Sequence, residues 1–118
     1  MKTAVIYARH IRYRNYESTS EQQIHTAKAF AKANGYEIIN IYTDDFDEKQ
    51  AVYPSFERML TGWEKAEWDF IIVENYKILG RIFEKTVSLM RTLNKKGKRI
   101  IGAQSNSLLE MLIYYGEK

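Results

Sequence analysis

The residues able to do chemistry gather just past the first apolar run. Thr3-Ala4-Val5-Ile6-Tyr7-Ala8 gives way to Arg9-His10-Ile11-Arg12-Tyr13-Arg14-Asn15-Tyr16, which holds three arginines, a histidine and two tyrosines. Guanidinium forks match phosphate oxygens in pairs, so an anion of that kind is the natural partner of such a cluster. Solvated loop charge would explain any single arginine as well; three of them interleaved with aromatics favour the anion. His10 invites a general-base role, but a base needs a nucleophile within hydrogen-bond reach. No hydroxyl stands beside it, and it reads as a loop residue or a phosphate contact. Two further polar outlets follow apolar runs: Thr43-Asp44-Asp45, and Glu74-Asn75-Tyr76-Lys77-Ile78-Leu79-Gly80-Arg81.

The elements that must position these residues are legible in order. The run ending at Ala8 is almost continuously apolar, as in a strand covered on both faces. Ser18-Thr19-Ser20-Glu21 and Thr19-Ser20-Glu21-Gln22 both fit a capping box, so a helix starts at Ser18 or Thr19. Ile24, Ala27, Phe30 and Ala31 form its buried stripe, and Asn34-Gly35 ends it. Glu37–Tyr42 is a second strand that brings Thr43-Asp44-Asp45 to the sheet end of Arg9. Pro54 opens a helix with Phe56, Met59, Leu60 and Trp63 at helical spacing. Trp68–Val73 is the third strand. A helix carrying Phe83, Val87 and Met90 follows, closed by Lys95-Lys96-Gly97, and Lys98–Ala103 is a short fourth strand. Alternating strands and helices predict an α/β domain: three αβα layers on a mostly parallel sheet of four to five strands.

The bulk properties set limits. At 118 residues, one domain spanning 1–118 is expected. A net charge of +3 with pI ≈ 9.0 permits nucleic acid as a partner without requiring it. There is no cysteine, and His10 and His25 fall on different elements, so neither disulfide nor metal site is expected. No glycine-rich phosphate loop follows the first strand, which argues against a nucleotide; no cofactor is expected. No apolar run approaches membrane-spanning length, and a cytoplasmic location is expected.

The order of these pieces resembles the catalytic domain of the serine site-specific recombinases, the resolvase/invertase family. The likeness runs through Val5-Ile6-Tyr7-Ala8-Arg9, Gln23 ahead of Gly35-Tyr36-Glu37-Ile38-Ile39, Tyr42-Thr43-Asp44-Asp45 and Tyr53-Pro54-Ser55-Phe56. It continues through Met59-Leu60 and through Asp69-Phe70-Ile71-Ile72-Val73 leading to Leu79-Gly80-Arg81. No single piece is specific; their shared order is. The resemblance implies a serine that attacks a DNA phosphodiester beside a group of arginines, because the attacked phosphate gains charge in its transition state.

At the decisive places the sequence departs from that pattern. Arg9, Gln23, Asp44 and Arg81 are retained, while the nucleophile's position holds Ile11, whose side chain cannot attack phosphorus. An arginine position is Tyr53, an aspartate–arginine pair is Lys77-Ile78, and a serine–glycine pair is Glu48-Lys49. The resemblance therefore implies a recombinase-like domain that does not cut DNA and acts through oligomerisation or regulation of recombination.

Two other readings stay open. Ser18 or Ser20 could serve as a relocated nucleophile in an active DNA-cleaving enzyme, although the capping pattern accounts for both. A small phosphate- or nucleic-acid-binding module would use Arg9, Arg12, Arg14 and Arg81 with Tyr13 and Tyr16, joined by Lys95, Lys96, Lys98 and Arg99. Leu108, Met111, Leu112 and Tyr115 share a face of a final helix and are the candidate oligomer contact. The expected partners are the chain itself or a full-length serine recombinase, with DNA bound weakly and no membrane. A helix-turn-helix DNA-binding domain is not expected.

Overall fold

The computed structural model describes residues 1–11, 18–46, 53–79 and 83–104, with the side chains at 11, 46, 77 and 83–86 outside the description. Its elements are β1 (Thr3–Ile11), α1 (Ser20–Asn34), β2 (Glu37–Phe46), α2 (Pro54–Leu60), β3 (Phe70–Val73), α3 (Phe83–Lys95) and β4 (Arg99–Gly102). Short 3-10 turns at Trp63–Lys65 and Tyr76–Leu79 flank β3.

Burial on both sides makes β1 the centre. Ala4 to Ala8 are at most 1% exposed, and the described strands run in the order β2-β1-β3-β4, all parallel. Successive strand residues point to opposite faces. Ala4 and Ile6, with Ile72, pack against Ala27 and Ala31 of α1. Val5 and Tyr7, with Ile71, Val73 and Ile100, pack against Met59 of α2 and Met90 and Leu93 of α3. One helix on one face and two on the other make the three layers that the alternation predicts.

Several boundaries fall elsewhere than the sequence patterns place them. Of the two capping-box frames, Thr19–Gln22 is the one formed: the Thr19 hydroxyl accepts the Gln22 N–H, and the Gln22 side chain accepts the Thr19 N–H. Ser18 thus precedes the cap. Gly35, at φ 72, supplies the left-handed residue that ends α1. Strands β1 and β2 run on to Ile11 and Phe46 instead of ending at Ala8 and Tyr42, because Thr43, Asp44 and Asp45 still pair with Ala8, Arg9 and His10; His10 is therefore a strand residue and not a loop one. The predicted stripe Phe56–Trp63 is broken where Thr61 turns extended and ends α2 at Leu60, and Gly62 at φ 67 then leads Trp63 into a 3-10 turn.

Strand β3 starts at Phe70 rather than Trp68, and β4 at Arg99 rather than Lys98. The reason is Lys98, which turns inward: its ammonium donates to the carbonyls of Ala66 (2.9 Å) and Trp68 (2.6 Å) and lies 4.7 Å from the Trp68 ring centre. Lys98 is therefore a structural cation, not a surface one. A register shift between Ala4 and Val5 leaves Ile39 as an extra residue on edge strand β2, and the Asn40 side chain accepts the Ile41 N–H there. The expected final helix lies outside the described residues. Among the described residues, no helix is long and apolar enough to cross a membrane.

Candidate functional site

The parallel register puts Arg9 opposite Asp44 where β1 and β2 end together. Alternation along β1 sends Tyr7 and Arg9 to the α2 side, and hydrogen bonds then link three elements, β1, β2 and α2. The Arg9 Nε–H donates to the Tyr7 hydroxyl (2.9 Å), which donates to Asp44 Oδ2 (2.7 Å). Asp44 also accepts the backbone N–H groups of Ser55 (2.9 Å) and Phe56 (3.0 Å). These are first-turn donors of α2 that have no partner within the helix. Tyr53, at the cap position, makes no capping bond with its own side chain. Asp44 caps the helix from a neighbouring strand instead.

Three rings surround the guanidinium of Arg9. Its Cζ lies 3.4 Å from the ring centre of Tyr53, 5.2 Å from that of Tyr7 and 5.4 Å from that of Phe56. Attraction between a cation and a ring face strengthens when both are withdrawn from water, and Arg9 is only 5% exposed. Burial pushes the Tyr7 phenol far above its ordinary value; the Asp44 carboxylate adds to the rise and the Arg9 charge opposes it. Tyr7 is thus a neutral donor at any ordinary pH, and its oxygen is not available as a nucleophile.

The α1 side of the same sheet end is organised separately. Gln23, 1% exposed, accepts the Arg9 N–H (3.0 Å) and donates to the carbonyls of Arg9 (2.8 Å) and Ser18 (2.9 Å). The Ser18 hydroxyl donates to the buried Glu74 carboxylate just past β3. His10 Nδ1 and Ser20 Oγ are buried without a hydrogen-bond partner. The Ser18 hydroxyl is thus directed to Glu74, while the Arg9 guanidinium lies among the rings of Tyr7, Tyr53 and Phe56.

Arg9, Asp44 and Tyr53 are brought into one cluster, with Gln23 fixing the backbone beneath it. Ile11 is the last residue of β1, opposite Phe46. Lys77 and Ile78 lie in the 3-10 turn Tyr76–Leu79, and Ile78 packs on the apolar core. Lys95 and Lys96 are exposed, and the Arg99 Nε–H donates to Asn94 (3.3 Å). Arg12, Tyr13, Arg14, Tyr16, Glu48, Lys49, Arg81, Leu108, Met111, Leu112 and Tyr115 lie outside the described residues. The sequence pattern passed over Tyr7 and Glu74 as site residues. Tyr7 stands two residues before Arg9 on a strand, hence on the same face, and that spacing was the available signal. Among the described residues there is no cluster of three metal-ligating side chains.

The family model described as Resolvase, N terminal domain, matches residues 4–112. The chain belongs to the resolvase family. Its fold is also that of solved recombinase domains. The N-terminal catalytic domain of TP901-1 integrase is 22% identical, with a TM-score of 0.73 over 86% of this chain and 77% of that one. A resolvase family site-specific recombinase from Streptococcus pneumoniae is 21% identical, with a TM-score of 0.74 over 96% and 83%. The C-terminal catalytic domain of ISC1926 TnpA, an IS607-like serine recombinase, is 22% identical, with a TM-score of 0.66 over 93% and 77%. At these identities the likeness shows the fold alone. No curated protein sequence matches the chain. The resolvase-family domain is thus a serine recombinase-type catalytic domain by sequence and fold.

Proposed function

We propose that this resolvase-family domain has lost DNA cleavage and works through protein contacts, associating with itself or with a full-length serine recombinase to modulate recombination in the cytoplasm. The observation that carries the reading is Ile11 as the last residue of β1, two positions beyond Arg9, where the family's chemistry needs a hydroxyl. Removing one donor to a developing oxyanion already costs roughly two to three decades in rate. Here the nucleophile is missing as well, and Tyr53 and Ile78 occupy arginine positions. The relocated-serine alternative gains a carboxylate from the Ser18–Glu74 bond, yet the Arg9 guanidinium is engaged elsewhere, its Nε–H donating to the Tyr7 hydroxyl. DNA contact through Arg12, Arg14 and Arg81 is weak in this reading and falls steeply with salt.

The partner half of the proposal is tested by mixing the chain with a full-length serine recombinase and following mass by analytical ultracentrifugation. Mixed oligomers are expected, lost when Leu112 and Tyr115 are changed to charged residues. A chain that stays monomeric, alone and in every mixture, would overturn it.

A further inference from the structure

We propose that Tyr53 is a built-in seal over Arg9, turning the one described cation of the old phosphate site into the occupant of the protein's own aromatic cage. The inference deepens the reading of a site that no longer handles phosphodiesters, and it concerns how that site is shut.

A guanidinium offers an oxyanion its two N–H forks, while its faces stack on rings. In Arg9 the Nε end of one fork is taken by the Tyr7 hydroxyl at 2.9 Å. The Tyr53 ring, with its centre 3.4 Å from Cζ, is in van der Waals contact with one face and leaves no room there for water. Phe56 and Tyr7 stand at 5.4 and 5.2 Å, and their own rings meet at 4.9 Å and 58°, forming a continuous wall. A residue that normally keeps its charged head in water is left 5% exposed.

The seal is placed by the helix. Pro54 fixes the entry into α2, the Asp44 carboxylate holds the next two backbone N–H groups, and Tyr53 is the residue immediately before them. Because Asp44 also binds the Tyr7 hydroxyl, one carboxylate anchors both the ring above the guanidinium and the phenol beside it. An arginine at position 53 would bring a second positive charge where the ring now sits, and only an anion would reconcile the two. The tyrosine removes that requirement by placing a neutral ring against the guanidinium face.

The test is the reactivity of Arg9 toward phenylglyoxal, read by peptide mass spectrometry with exposed Arg58 as the reference in the same molecule. Arg9 must wait for local opening, so in the wild-type chain it is expected to react on the order of tenfold or more slowly than Arg58. Tyr53→Phe keeps the ring and should preserve that protection. Tyr53→Ala should remove most of it, and inorganic phosphate should then slow modification of Arg9 in this variant alone. Wild-type Arg9 reacting as fast as Arg58 would overturn the proposal even if Tyr53→Ala failed to fold. So would full protection in a folded Tyr53→Ala chain. DNA cleavage is read separately, by a covalent protein–DNA adduct, so either conclusion can fail while the other stands.

Discussion

Replacing Asp44 by alanine should destabilise the fold far more than any surface change, because the carboxylate holds three donors at once. Asp44 is 3% exposed and accepts from the Tyr7 hydroxyl (2.7 Å), the Ser55 N–H (2.9 Å) and the Phe56 N–H (3.0 Å). A buried donor left without a partner costs about 1–3 kcal/mol, and loss of a helix cap alone costs about 0.5–2 kcal/mol. Two terms work the other way: the buried carboxylate no longer has to be desolvated, and water entering the space of the lost side chain repairs part of the damage. The balance is a loss of about 3 kcal/mol, built mainly on the phenol and the two helix donors. Urea unfolding followed by tryptophan fluorescence measures it. With a slope of about 1–3 kcal/mol per molar, the midpoint should fall by about 1–3 M at unchanged slope. Asp44→Asn keeps one oxygen and should fall between wild type and alanine. Glu64→Ala, at an exposed position, should stay within about 0.5 kcal/mol. An Asp44→Ala loss below about 1 kcal/mol would refute the view that this carboxylate organises the sheet end.

Other outcomes follow from the same contacts. Tyr7 has its proton affinity raised by burial, so between its unfolded pKa near 10.0 and its higher folded value the native state binds the extra proton. Its contribution is fully present below pH 10 and is lost as pH rises above it; in a phenolate absorbance titration one tyrosine should ionise only with unfolding, and Tyr7→Phe should abolish that step. Gln23→Leu leaves the Arg9 N–H and the carbonyls of Arg9 and Ser18 without their buried partner, and should cost about 3 kcal/mol in the same urea assay. A cost near zero would mean that water replaces the amide and that Gln23 does not fix the end of β1.

What the sequence displayed was what periodicity and local chemistry determine. The apolar run Thr3–Ala8 showed a doubly covered strand, the Thr19–Gln22 spacing a helix start, and Asn34-Gly35 its end, and each is found, although β1 runs on past Ala8 to Ile11. Long-range partnerships were less visible. Asp44 read as a retained site position past the second strand, since nothing local in Thr43-Asp44-Asp45 says that these residues still pair with β1 or that the carboxylate caps a helix beginning at Pro54. Lys98 read as surface charge because its neighbours are basic, whereas its ammonium is held by two carbonyls more than thirty residues distant in the case of Ala66 and thirty in that of Trp68. Arg9 was legible as a site residue from its place just past the apolar run Thr3–Ala8, although it lies within β1. That a ring covers its charge depended on Tyr53, forty-four residues away, and only the fold brings the two into contact.

The most direct measurement on the proposed loss of cleavage is intact-mass and peptide mass spectrometry of the wild-type chain after incubation with supercoiled DNA, with and without a full-length serine recombinase, followed by nuclease digestion. The expected spectrum shows only the unmodified chain under both conditions. A nucleotide joined through phosphate to Ser18, Ser20 or any other residue, and lost on changing that residue to alanine, would contradict it and mark the domain as an active recombinase.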